Sequence, residues 1–92
     1  MSYNLLIASL SDKQTALSYI NLCTNKNDFL LGLYNIAIAQ GGIEKLSKKL
    51  DIDKDIIHQS LSPHNNPPLK IIISIINALD LKLELDYRKF FE

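Results

Sequence analysis

The sequence predicts an all-α domain of about five helices closed by a short C-terminal β-strand. Three observations carry that prediction. Apolar residues recur at helical spacing through most of positions 11–80. Clusters of Asn, Asp, Gly and Pro punctuate those stretches where helices start and stop. Beyond position 80 the apolar period falls to two, the spacing of a strand with one covered face. Ninety-two residues suffice for one hydrophobic core, so positions 1–92 form a single domain. An apolar content of 47% with 22% charged residues is a globular mixture and excludes an acidic disordered chain.

Residues 1–10 show no clear period, and a helical or an extended piece would fit them equally. The N-terminal helices are expected within 11–40. Ser11 with Gln14 reads as a capping box ahead of Ala16, Leu17, Ile20 and Cys23, which predicts a helix from Asp12 to Thr24. Asn25-Lys26-Asn27 breaks it. Asn27 or Asp28 can cap a second helix from Phe29 to Ala39, apolar enough to be mostly buried, and Gln40-Gly41-Gly42 ends it.

Ile43, Leu46, Ser47 and Leu50 then form one stripe at i, i+3, i+4 and i+7. Asp51-Ile52 is a tight break, Asp53 a good N-cap, and Ile57, Ser60 and Leu61 the covered face of a second short helix ending before Pro63. Two short helices with so brief a connection make a helix-turn-helix pattern over 42–62. Its demands are met residue by residue. Ser47 and Ser60 are small where helices cross, and Asp51 tolerates positive φ. Leu46, Leu50, Ile52 and Ile57 are apolar anchors. Asn66 as cap and Pro67 in the first turn open a final helix over 67–80, with Leu69, Ile72, Ile73, Ile76 and Leu79 inward. Leu81, Leu83, Leu85 and Tyr87 alternate with charged residues as a strand over 81–88. A strand needs a partner for its backbone, which could be another subunit or the edge of a partner's sheet. Tyr87, Phe90 and Phe91 could instead simply pack on the helical body.

Ten basic and ten acidic residues give a formal charge of zero, which excludes histone-like proteins that bind by phosphate neutralisation alone. Cys23 is the only cysteine, so no disulfide forms within the chain, and a reducing cytoplasm is the expected setting. Leu5–Ala8 is too short for a signal-peptide core, and no apolar run reaches the roughly 18 residues of a membrane span. Nothing forms a Gly-rich phosphate loop, a carboxylate pair or a Ser/His/Asp set. Cys23, His58 and His64 are ill-spaced for zinc. Asp51, Asp53 and Asp55 begin like a calcium loop, yet Ile56 and Ser62 occupy its glycine and closing glutamate positions. No enzymatic activity, metal or cofactor is expected.

From Gly42 to Leu83 the chain resembles the HigA-like addiction module antidote family. Such sequences read leucine and a small residue, a turn, a capped recognition helix, then leucine-serine-proline and asparagine-proline. Here those places hold Leu46-Ser47, Asp51-Ile52, Asp53, Leu61-Ser62-Pro63 and Asn66-Pro67, and Ile75 to Leu83 resembles the family's final helix and leucine-rich exit. The chain departs from the pattern at Asp51, where glycine is usual, at Ser47 and Ser60, where alanine is usual, and in a less basic recognition helix. The resemblance implies a lambda-repressor-like helix-turn-helix fold. It also implies an antitoxin that neutralises a RelE/HigB-like mRNA-interferase toxin and binds operator DNA as a homodimer to repress its own operon. Two half-sites about 34 Å apart suit such a dimer.

Candidate DNA-binding residues follow. Lys54, Asp55, His58 and Gln59 project from the second helix of the motif, off the Ile57/Leu61 face. Gln59 can pair with adenine, Lys54 can reach guanine or a phosphate, and Asp55 can accept from cytosine. Ser62 and Asn65 follow it, while Lys45 and Lys48 lie on the first helix, where phosphates pass. The alternative for all of them is a solvated surface. From Gly41 to Lys70 five lysines face four carboxylates, a thin basic excess that implies modest affinity falling steeply with salt. Two other readings fit the same residues, a stand-alone repressor without a toxin and an antitoxin that binds only protein. With Arg88 the only arginine, guanine forks are scarce and the expected operator leans to A·T. Interference mapping that found contacts at guanines alone would contradict that expectation.

Overall fold

Short polar side chains start the second and third helices. The computed structural model describes residues 3–62 and 66–91, and α1 (Tyr3–Leu10) is its first element. Asp12 accepts the Thr15 N–H at 3.0 Å and the Thr15 hydroxyl at 2.8 Å, opening α2 (Lys13–Asn21). The N-cap is therefore Asp12 and not Ser11, whose hydroxyl instead bonds the Ala8 carbonyl at 2.7 Å. Asn25 opens α3 (Lys26–Ala39) by accepting the Asp28 N–H at 2.9 Å, so α3 starts before the Asn27 or Asp28 cap expected for it. Asn25 wins because its side-chain amide also donates to the Asp28 carboxylate at 2.9 Å, closing the cap reciprocally.

The remaining elements are α4 (Ile43–Leu50), α5 (Lys54–Ser60), α6 (Leu69–Ala78) and a 3₁₀ helix over Tyr87–Phe91. Six α-helices replace the five expected among the described residues, since the unassigned start of the chain is helical. Leu10 from α1 is fully buried, which gives that piece its tertiary support. The final helix starts at Leu69 with Pro68 at its N-cap position, without a side-chain cap. Asn66 accepts instead from the Lys26 ammonium at 2.6 Å, tying the segment to α3. No described helix is long and apolar enough to cross a membrane.

α3 lies at the centre, touching α1, α2, α4 and the 3₁₀ helix, and α4 in turn touches α5 and α6. Phe29, Leu30, Leu33 and Ile36 are fully buried. α2 approaches so closely that a Cβ on Gly32 would lie 2.8 Å from Ile20 Cδ1.

The strand expected over 81–88 does not form within the chain. Residues 81–86 take no regular secondary structure, bend at Leu85 and pair with no strand among the described residues, and Tyr87 and Arg88 begin the 3₁₀ helix. Two local attractions explain the difference. Asn21 Oδ1 accepts the N–H groups of Glu84 and Leu85 at 3.1 and 3.2 Å, bending the segment onto α2. Phe29 then gathers the terminal aromatics: Tyr87 stacks at 5.7 Å between centroids, Phe90 tilts at 5.5 Å and Phe91 meets it edge-on at 6.1 Å. The aromatic end packs on the helical body, as one of its two readings supposed.

The Asp12 cap makes stability depend on pH. The hydrogen bonds from Thr15, side chain first and backbone second, hold its carboxyl below the ordinary value of 3.8. A carboxyl lowered in the folded state stabilises fully above its unfolded value, and that contribution disappears as pH falls through the lowered folded value. Thermal melts from about pH 7 to about pH 2 are expected to show Asp12→Ala lowering Tm at neutral pH. Asp12→Asn should keep most of the neutral-pH stability while removing the acid-dependent part.

Candidate nucleic-acid interface

α4 and α5 are joined by a three-residue turn whose groups are satisfied on both sides. Asp51 takes the left-handed conformation, φ 54° and ψ 42°, and its N–H bonds the Ser47 carbonyl. The Ile52 N–H reaches the same carbonyl at 3.2 Å, while the Ser47 hydroxyl donates to the Ile52 carbonyl. Ser47 therefore stitches the turn to its own helix. Asp53 Oδ1 then accepts the Asp55 N–H at 2.8 Å and starts α5. Leu46, Ile57, Ser60 and Leu61 are buried and Leu50 and Ile52 half-buried, so each expected anchor is withdrawn from water.

With that face inward, helical spacing puts Asp55 and Gln59 on the opposite side of α5. Both are exposed, as is Ile56 at 45%. Lys54 and His58 run along one flank. Lys54 Nζ lies 3.8 Å from Glu44 Oε1, a mostly exposed pair that spans α4 and α5. The His58 ring tilts against Tyr34 of α3 at 5.7 Å between centroids. Ser62 donates its hydroxyl to the His58 carbonyl at 2.8 Å, turning back on its own helix. His58 and Ser62 thus edge an apolar cavity of about 220 Å³ with Leu31, Tyr34 and Leu61. Asn65 lies outside the described residues.

The lysines of α4 divide between two sides. Lys45 and Lys49, one turn apart, line a cavity of about 240 Å³ with Lys13, Gln40 and Leu79. There Lys49 donates to the Ala78 carbonyl at 2.7 Å, and Lys13 to the Leu79 carbonyl at 3.5 Å and the Asp80 carboxylate at 3.2 Å. Two ammonium groups from other elements thus serve the carbonyl end of α6, whose last turn carries no basic residue. Lys45 folds over Gly41, where a Cβ would lie 2.5 Å from Lys45 Cδ. Lys48 is exposed one turn after Glu44. Of the candidate residues the fold groups Lys54, Asp55 and Gln59 on the outer side of α5. It sets His58 and Ser62 toward α3 and Lys45 toward α6.

Sequence reading missed Leu31 and Tyr34, because α3 read as mostly buried. Their spacing with Ile38, at i, i+3 and i+7, marks a second apolar stripe, and Leu31 is 44% exposed. Tyr19, Leu22 and Cys23 continue the surface around Leu31. The Cys23 thiol is held above its ordinary value of 9.0, by burial first and by the Asp28 charge second, so it is protonated at neutral pH and a poor nucleophile.

No family model, curated protein or solved structure matches the chain.

The left-handed residue in the α4–α5 turn gives a direct test. Asp51→Gly relieves the Cβ strain of that conformation and is expected to stabilise the fold by about 0.5–1 kcal/mol in urea unfolding. Asp51→Val should destabilise it by at least as much.

Proposed function

We propose that the chain is the antitoxin of a type II toxin–antitoxin module. In this reading it neutralises a RelE/HigB-like mRNA-interferase and represses its own operon as a homodimer on operator DNA. The observation that carries the reading is the α4–α5 pair. Its three-residue turn holds Asp51 left-handed and leaves Asp55 and Gln59 outward, the arrangement a lambda-repressor-like helix-turn-helix requires. The resemblance of Gly42 to Leu83 to HigA-like antidote proteins supports the same reading.

In this reading α5 enters the major groove. Gln59 pairs its amide with an adenine edge, and Lys54 exchanges the exposed Glu44 carboxylate for a phosphate or a guanine. That exchange costs little, because an exposed ion pair contributes little. Asp53 and Asp55 oppose misplaced phosphates, so affinity rests on base contacts and dimer geometry more than on charge. Lys48 is the α4 lysine best placed for the backbone, since Lys45 and Lys49 face α6. The toxin contacts the surface of Tyr19, Cys23, Leu31 and Tyr34, where Leu31 is exposed and the other three are half-buried.

A second reading, an antitoxin that binds protein only, is favoured by one observation. The single lysine on the outer part of α5 is already paired with Glu44, beside two carboxylates. A gel shift on the DNA upstream of the gene, with and without the co-expressed toxin, decides between them. Operator binding by the chain is expected at low salt, weakening steeply as salt rises. Lys54→Ala with Gln59→Ala should weaken it by roughly 10-fold or more without changing Tm. Unchanged affinity in the double variant would show that α5 does not read the operator.

A further inference from the structure

Three of the ten cationic side chains of this neutral protein converge on one cleft. Lys13 of α2 and Lys45 and Lys49 of α4 line the cavity of about 240 Å³, whose floor is Ala37, Leu46 and Leu79, all withdrawn from water. No acidic side chain lines it among the described residues, and Asp80 offsets Lys13 from 3.2 Å away. The carbonyl end of α6 is answered by Lys49 at Ala78 and by Lys13 at Leu79. An ammonium carries three N–H donors, so the bond to Ala78 leaves two open on Lys49. Lys45 keeps all of its donors, since no hydrogen bond or ion pair among the described residues involves it. Its stem is nevertheless placed. It crosses Gly41, where a Cβ would lie 2.5 Å from Lys45 Cδ and 3.3 Å from Nζ. Glu44, paired with Lys54, marks the α5 flank of α4. Lys45 and Lys49 stand about 100° and about 140° round the helix from it, so α4 lies between the cleft and the outer side of α5.

We infer that this cleft binds a small phosphate monoester, with the phosphate group between Lys45 and Lys49 and the apolar part on the floor of Ala37, Leu46 and Leu79. Like charges around one cleft repel each other, and an anion between them removes that repulsion. The donor set selects phosphate over carboxylate. A phosphate monoester carries about 1.5 to 2 negative charges at neutral pH and directs three acceptor oxygens apart. The lysines meet it as separate point charges arriving from two helices. No arginine lines the cleft, so a planar carboxylate finds no two-pronged partner there. A free small ligand suits the cleft better than a DNA backbone phosphate, because a duplex held by Gln59 lies across α4 from it. The site is independent of operator reading, since no residue of α5 lines it.

Titration of the ¹⁵N-labelled full chain with phenyl phosphate, followed by amide chemical shifts at neutral pH, tests this. Shifts should gather on Gln40, Gly42, Lys45, Lys49 and Leu79 and saturate with a Kd on the order of 1 mM. Lys45→Gln should weaken binding by roughly 10-fold without changing Tm, since Lys45 ties down no other element. Lys49→Gln should weaken it too but lower Tm, because it also frees the Ala78 carbonyl. Lys82→Gln removes an equal charge from the tail and should leave Kd within about 2-fold. Benzoate, a planar carboxylate of similar size, should bind roughly 10-fold more weakly than phenyl phosphate. The inference is overturned by shifts that do not gather on the cleft, by a Lys45→Gln variant that binds like the original, by equal losses in Lys45→Gln and Lys82→Gln, or by benzoate matching phenyl phosphate. A duplex of the DNA upstream of the gene forms the last arm. If it displaces phenyl phosphate, the cleft holds the nucleic-acid backbone and the small-ligand site is overturned. If both bind together, the site stands beside operator reading. A chain that binds phenyl phosphate and no duplex keeps the site and defeats operator recognition.

Discussion

The inner face of α3, with Phe29, Leu30, Leu33, Ile36 and Ala37 withdrawn from water, is covered by α1, α2, α4 and the C-terminal 3₁₀ helix together. Each fully buried large side chain there contributes about 1.5–3 kcal/mol relative to exposure, more than any single cap or ion pair in the molecule. The rest of the architecture follows from how that face is covered. α4 packs directly on α3, and α5 is placed mainly through α4, so the orientation of the candidate DNA-reading helix depends on α3 at one remove. The Phe29 ring links the same core to the tail through Tyr87, Phe90 and Phe91. Removing that ring would loosen the last helix turn and free residues 81–86 together.

Charge in this neutral protein is organised by position and not by excess. Lys13 and Lys49 occupy the carbonyl end of α6, and Lys26 holds Asn66, so three of the nine lysines have structural hydrogen-bond partners inside the chain. Lys54 shares Glu44 across the turn. The remaining cations are offset by the ten acidic residues, so no net charge attracts a polyanion. It is consistent with recognition that depends on fixed geometry, whether of base edges in a groove or of a second protein surface. The alternating charges of the tail follow the same economy, since Lys82 and Glu84 cancel in sum and differ only in where each points.

Much of the local structure was legible in the sequence. The ends of α3 and α4 and the start of α5 follow from Gly41-Gly42, Asp51 and Asp53, because cap and turn conformations depend on residues within a few positions. The inward residues of α4 and α5 follow from helical spacing alone. Caps were harder wherever two candidates stood side by side. Asp12 prevailed over Ser11 through Thr15, and Asn25 over Asn27 and Asp28 through a reciprocal bond, differences of a few positions that propensity does not resolve. α1 stayed open between helical and extended because a piece of eight residues is held as a helix only when Leu10 has a core to enter.

The sequence by itself determined an all-helical domain, the α4–α5 pair with its left-handed Asp51, and a tail whose leucines face one way. Those features depend on periodicity and on near neighbours. Only the tertiary structure decided which polar residues share a surface. It separated Lys45 from Lys54 by the turn of one helix and set His58 on Tyr34, a residue twenty-four positions away. It also bent residues 81–86 onto Asn21 instead of pairing them as a strand. A strand needs a partner strand for its backbone, and none of the described elements supplies one.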